Sequence, residues 1–166
     1  MEQPKTKQRV YLLLTGLAVI ACIAFIWGNS LLPAAQSAQA SRSVLDLLDP
    51  ILDQLHIPKG DAHRVIRKLA HMSEFALLGL LWSSLLIQLR RRSLSDCLFG
   101  AGTLALLTAL VDETIQLFSP GRGSQVTDVW IDFCGACLGI LAAHILRHIS
   151  HRIHRKVCCK FSSSGK

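Results

Sequence analysis

The residues of this chain best suited to chemistry sit where an apolar sequence tolerates them least. "RKLAHMSEF" (67–75) places Arg67, His71 and Glu74 at spacings of four and three, along one face of a helix, with Lys68 beside them. "DETIQ" (112–116) sets Asp112 and Gln116 one turn apart, with Glu113 about 100° further round. "PGR" supplies Arg122, and "DVWID" (128–132) puts Asp128 and Asp132 at i and i+4. Three chemistries suit this set. His71 with Glu74 could work as an acid–base pair. His71 with Asp112, Asp128 and Asp132 offers mixed imidazole and carboxylate ligands for a divalent cation such as Zn²⁺, Mn²⁺ or Mg²⁺. Arg67, Lys68 and Arg122 suit a phosphate or carboxylate. No serine or cysteine nucleophile accompanies a base in a recognisable motif, so the catalytic candidates are His71, Glu74 and Asp112, and whether the protein is an enzyme stays open.

The elements that must position these residues follow from hydropathy. Hydrophobic residues make up 51% of the 166 and charged residues 17%, and the apolar ones fall into four runs, at about 10–27, 69–89, 97–117 and 126–146. A helix of about 20 residues spans about 30 Å, the thickness of a bilayer's hydrocarbon core. The fold class expected is therefore all-α: an integral membrane four-helix bundle forming one domain over residues 1–160. Its end merges into a basic tail, 147–166, that carries His and Cys. If the amino terminus, the 90–96 loop and the tail share one side, that side holds twelve of the 18 Lys and Arg residues. The positive-inside rule then places both termini in the cytoplasm. The net charge of +7 reads as topology and attraction to anionic inner-leaflet lipids, and nothing in it calls for nucleic acid. Oligomeric state has no signature here.

Other segments carry weaker signals. Ala38 and Ala40 make an A-x-A pattern after a basic start and an apolar run, as in a cleaved signal peptide, but the run is long and the site lies far beyond its end, so an anchored helix is expected. Residues 41–56 read as an external amphipathic segment, with Val44, Leu47, Leu48, Ile51 and Leu55 at helical spacing and Pro50 as a kink. "CGAC" (134–137) matches C-x-x-C inside an apolar run, where thiols pack as small apolar groups and a redox role is not expected. Cys158 and Cys159 follow a basic juxtamembrane stretch that suits S-acylation, although unmodified thiols are the simpler expectation. His144, His148, His151, His154 and Cys158 form one helical stripe that could hold a metal, but a basic helix on the inner leaflet explains it more simply. Gly135 and Gly139 have the G-x-x-x-G spacing that lets helices approach closely.

Depth ties the ionisable groups together. Run two enters from outside through Arg67–Glu74, run three leaves through Asp112–Gln116, and run four re-enters through Asp128–Asp132. All therefore lie at one level beneath the external surface. A charge at mid-membrane costs about 2.5–3.5 kcal/mol even on the lenient insertion scale, so groups at one level are expected to meet. Glu74, Asp112, Glu113, Asp128 and Asp132 outnumber Arg67, Lys68 and Arg122, which leaves room for a proton, a cation or a basic ligand group. A through-path for transport is not expected, since the inner halves of runs two to four offer only Ser83, Ser84, Thr103 and Thr108.

At these residues the sequence resembles the VanZ-like family of small polytopic membrane proteins. Lys68, His71 and Glu74 match its K-x-x-H-x-x-E element, and Asp112, Glu113 and Gln116 match D-E-x-x-Q. Arg122 matches the P-G-R turn, and Asp128, Gly135 and Gly139 match the last element. Asp132 stands where the family usually shows Asn, and Phe75 where it often shows Tyr. The resemblance implies a multi-pass protein of the bacterial cytoplasmic membrane with a role at the cell envelope, bearing on susceptibility to the glycopeptide teicoplanin. The expected partner is a membrane lipid or lipid-linked envelope precursor, held at Arg67, Lys68, His71, Glu74, Asp112, Glu113, Gln116, Arg122, Asp128 and Asp132. The alternative is an intramembrane hydrolase or transferase, metal- or acid–base-dependent, acting on such a precursor.

Overall fold

The computed structural model describes the backbone of residues 5–34, 36, 39, 59–90 and 93–163, and side chains over 6–34, 36, 39, 64–89, 93–150 and at 152. Four helices follow in order: α1 Lys5–Leu31, α2 Lys59–Arg90, α3 Leu94–Leu117 and α4 Val126–Ser163. No strand occurs among the described residues. Each helix contains a segment long and apolar enough to cross a membrane: Thr6–Leu31, Arg64–Leu89, Leu94–Leu117 and Val126–Ser150. The apolar runs underestimate the helices, because charged flanks stay helical once the apolar part is formed. α1 continues past Trp27 to include Asn29 and Ser30, and α4 runs through the basic tail to Ser163. The 41–56 segment, Ala38 and Ala40, and the side chains of His151, His154, Cys158 and Cys159 lie outside the described residues.

Local chemistry sets the helix ends. At the start of α3, Ser93 Oγ accepts from Asp96 N–H at 3.2 Å, and Asp96 Oδ2 accepts from Ser93 N–H at 3.2 Å. This reciprocal capping box satisfies two donors that a helix start leaves unpaired. α3 ends at a tight turn, Ser119–Arg122, closed by Arg122 N–H on Ser119 O at 3.2 Å. Pro120 presets one central dihedral and Gly121 takes φ 75° at the next, a backbone state that L side chains rarely adopt. The stretch after α1 is pinned to this turn, with Ala34 N–H donating to Pro120 O at 3.1 Å.

α2 and α4 form the structural spine. A Cβ on Gly79 would collide with the Ala136 carbonyl, one on Gly135 with the Met72 carbonyl, and one on Gly139 with the Ala76 carbonyl. The two backbones therefore touch along several turns. Between lipid-immersed helices the hydrophobic effect gives little drive, and close approach maximises dispersion instead. The Gly135/Gly139 spacing thus does what it predicts. Gly79 is the matching notch on the facing helix.

Two apolar clusters complete the bundle. Val19, Cys22 and Ile26 of α1 pack with Phe75, Leu78, Ala109 and Val129 beneath the polar residues. Cys97, Ala101 and Ile140 pack with Trp82, Leu86 and Ile87 nearer the termini. The outside is greasier than the inside: Leu13, Leu17, Phe25, Phe99, Phe118 and Trp130 are all exposed, as lipid-facing side chains should be. Cys22, Cys97, Cys134 and Cys137 are free thiols, the first two buried.

A polar candidate site at one end of the bundle

The site collects at the end of the bundle away from the α2–α3 connection. α1 delivers Asn29 and Ser30 from its last turn, and α2 delivers Arg67, Lys68, His71 and Glu74. α3 delivers Asp112, Glu113 and Gln116, its closing turn adds Ser119 and Arg122, and α4 adds Asp128 and Asp132. Asp112 lies five residues from the end of α3 and Asp132 six from the start of α4, roughly 8–9 Å in at 1.5 Å per residue. Both are almost fully buried, at 0% and 2% exposure.

Part of this cluster is tied together. Lys68 Nζ meets Asp128 Oδ1 at 2.6 Å, half-buried at the rim. Gln116 donates to Asp112 Oδ2 at 2.9 Å, and Glu113 Oε2 accepts from the Gln125 backbone N–H at 3.0 Å. Ser119 Oγ donates to Ser30 O at 2.7 Å, Arg122 Nη2 to Asn29 O at 2.9 Å, and Asn29 Nδ2 to Glu74 Oε1 at 3.2 Å. Glu113 is buried although it sits about 100° from Asp112, because α3 touches all three other helices and so has two inward faces.

The rest is not tied. His71 Nδ1, Glu74 Oε2, Asp112 Oδ1, Asp132 Oδ1, and Arg122 Nε and Nη1 are buried without a hydrogen-bond partner among the described residues. An unmet buried polar atom costs about 1–3 kcal/mol, more when charged, so six in one cluster is not what a purely structural network would keep. His71 Nδ1 stands 3.8 Å from Glu74 Oε2, an approach but not a hydrogen bond. Arg122, in the turn outside the spans, is pulled below its ordinary value by burial and by the neighbouring Arg67 guanidinium, while Asp112, Glu113 and Glu74 oppose this. Two guanidiniums repelling each other favour an anion between or above them.

A small cleft of about 10 Å³ opens into this region, lined by Arg67, Lys68, His71, Glu113, Gln116, Asp128, Ile131 and Asp132. That is close to the minimum for one water. Its floor admits an ion or a single oxygen, and anything larger must remain at the mouth. One imidazole nitrogen of His71 and one carboxylate oxygen each of Asp112 and Asp132 lie within 4.8 Å of one another. Asp128, expected in that ligand set, pairs with Lys68 instead. Lys68 in turn is held by a carboxylate, which leaves Arg67 as the other cation lining the cleft, with Arg122 close enough to repel it.

The ten residues read from the sequence thus come to one end of the bundle. Asn29, Ser30, Ser119 and the Gln125 N–H were not among them. Of these, only Asn29 and Ser30 leave a signal, the "NS" two residues after the first apolar run. The arrangement spans every helix, and the sequence model of VanZ/LLP1 matches residues 15–147. The chain belongs to the VanZ/LLP1 family. The VanZ/LLP1 match takes in every site residue from Asn29 to Asp132 and the whole α2–α4 seam, and stops where the basic tail begins. No curated protein and no solved structure matches the chain.

Proposed function

We infer that this VanZ/LLP1 protein acts at the bacterial cell envelope, in the cytoplasmic membrane with both termini inside. On this reading its polar end, in the outer leaflet, engages the anionic group of a lipid headgroup or lipid-linked precursor. One observation carries it: Arg122 holds two buried N–H groups, Nε and Nη1, without a partner among the described residues, close to a second cation, Arg67. Guanidinium donors in that state match phosphate or carboxylate oxygens, and charge-assisted hydrogen bonds of this kind are roughly twice as strong as neutral ones. Arg122 is positioned from both sides, by the Ser119–Arg122 turn and by Asn29 O. The small cleft fits a ligand that places one anionic oxygen inside while the rest of its head stays at the mouth and its acyl part in lipid. The basic tail would rest on anionic inner-leaflet lipids.

The test is an envelope readout such as teicoplanin susceptibility in cells that depend on this chain. Glu74→Gln and Arg122→Gln should each abolish the phenotype while protein level stays unchanged. A fully active Glu74→Gln/Arg122→Gln double variant would overturn the reading. A second reading, a hydrolase or transferase acting on the same ligand, draws on the His71–Glu74 approach of 3.8 Å. Turnover of a lipid-linked precursor by purified protein, lost in His71→Gln, separates it from binding alone.

A further inference from the structure

We propose that His71, Asp112 and Asp132 form a binding site for one divalent transition-metal ion, Zn²⁺ or Mn²⁺, beneath the anion-binding mouth. The inference goes beyond the function proposed above and holds whether the site binds its ligand or transforms it.

Three observations carry it. The first is convergence: one donor atom from each residue lies within 4.8 Å of the others, although they come from three different helices. Ligands sit about 3.4 Å apart on a tetrahedral ion and about 4.2 Å apart across an octahedral one, so closure takes side-chain movements of a few tenths of an ångström to about 1 Å. The second is that the acids are aimed inward and unspent. Asp112 and Asp132 are 0% and 2% exposed, and each keeps an Oδ1 with no donor among the described residues. The third is charge. With Lys68 and Asp128 paired, Glu74, Asp112, Glu113 and Asp132, when ionised, carry two more charges than Arg67 and Arg122, which one dication balances.

The supporting shell is also in place. Gln116 fixes Asp112 through Oδ2 and leaves Oδ1 for the ion. If His71 ligates through Nε2, Glu74 Oε2, 3.8 Å from Nδ1, would take the other N–H after a small side-chain shift, the usual carboxylate–histidine arrangement around a metal. The imidazole selects against Mg²⁺ and Ca²⁺, which prefer oxygen alone. His71 and Asp132 line the cleft, whose room of about 10 Å³ suits one water ligand on the ion.

The histidines of the tail could bind metal by themselves, so the test removes them first. Full-length protein carrying His148→Gln, His151→Gln and His154→Gln is placed in lipid nanodiscs, stripped with chelator, and titrated with Zn²⁺ or Mn²⁺ alone, with metal counted by mass spectrometry. We expect one ion per chain, at least tenfold weaker binding in Asp132→Asn and Asp112→Asn, and at most threefold weaker binding in Asp128→Asn. The Mn²⁺-loaded parent should also show ¹⁴N coupling by pulsed electron paramagnetic resonance, lost in His71→Gln. This last readout on the parent stands even where a variant fails to fold. The proposal is overturned if the parent binds no stoichiometric metal, if Asp132→Asn binds as tightly as the parent, or if bound Mn²⁺ shows no nitrogen ligand.

Discussion

The same four helices are joined in two ways at the two ends of the bundle. From just below the polar residues through the middle of the bundle, Gly79, Gly135 and Gly139 let α2 and α4 touch backbone to backbone, and nearer the termini Cys97, Ala101 and Ile140 pack together. There the contacts are mostly apolar, although Trp82 Nε1, Ser83 Oγ, Gln88 Oε1 and His144 Nε2 are also buried without a hydrogen-bond partner among the described residues. At the other end Glu74, Asp112, Arg122 and Asp132 all keep buried polar atoms without partners among the described residues. Three of the four unmet groups at the first end are neutral, whereas at the polar end a guanidinium, an imidazole and three carboxyl groups are gathered in one cluster. The difference indicates that the seam supplies rigidity and that the polar end uses it, because a cluster of imperfectly satisfied groups stays in place only on elements that cannot shift to satisfy them.

Breaking the seam should have the largest effect. Gly139→Ala drives a methyl group into the Ala76 carbonyl, so a loss of about 3 kcal/mol is expected, at the upper end of overpacking costs. Reversible unfolding in mixed micelles would measure it. Gly16→Ala is the matched control, since nothing lies within 4 Å of its added Cβ, and it should be neutral or stabilising by up to about 1 kcal/mol. Equal losses at both positions would dissolve the contrast.

At the polar end, Lys68→Met should cost only about 1 kcal/mol, because its side chain is 33% exposed and screened. Asp128→Asn should cost about the same, and the double variant no more than either alone. A cycle showing no coupling would mean that the ion pair contributes nothing to holding α2 on α4. The smallest effect should come from Ser119→Ala, which removes the bond to Ser30 O and should cost about 0.5 kcal/mol, the low end for one neutral hydrogen bond. If its loss of stability equalled that of Gly139→Ala, the two ends would be equally structural and the reading of the polar end as a site would weaken.

Most of this was legible because two periodicities agree. Apolar runs of bilayer length mark the helices, and i, i+3 and i+4 spacings mark which polar residues share a face. Asp128 and Asp132 could be placed on the stripe of Gly135 and Gly139 before any contact was known. Three features were not legible for physical reasons. Asn29 and Ser30 belong to α1, but hydropathy ends the run at Trp27 because it detects apolarity and not helix. Glu113 is inward because α3 has neighbours on two sides, which no single-helix projection can register. The pairing of Lys68 with Asp128, and so the exclusion of Asp128 from the acids around His71, depends on how far α2 and α4 slide along each other. That offset is set by the fit of Gly79 against Ala136.

The hydrogen bond from Ala34 to Pro120 has a mechanical meaning. It clips the chain leaving the first membrane crossing onto the hairpin that carries Arg122, while Arg122 reaches back to the final turn of that same crossing. A tug on the segment leading out of the membrane is therefore transmitted to the guanidinium. Conversely, a displacement of Arg122 loads the clip, so movement of the guanidinium can be felt by whatever rests against residues 33 and 34.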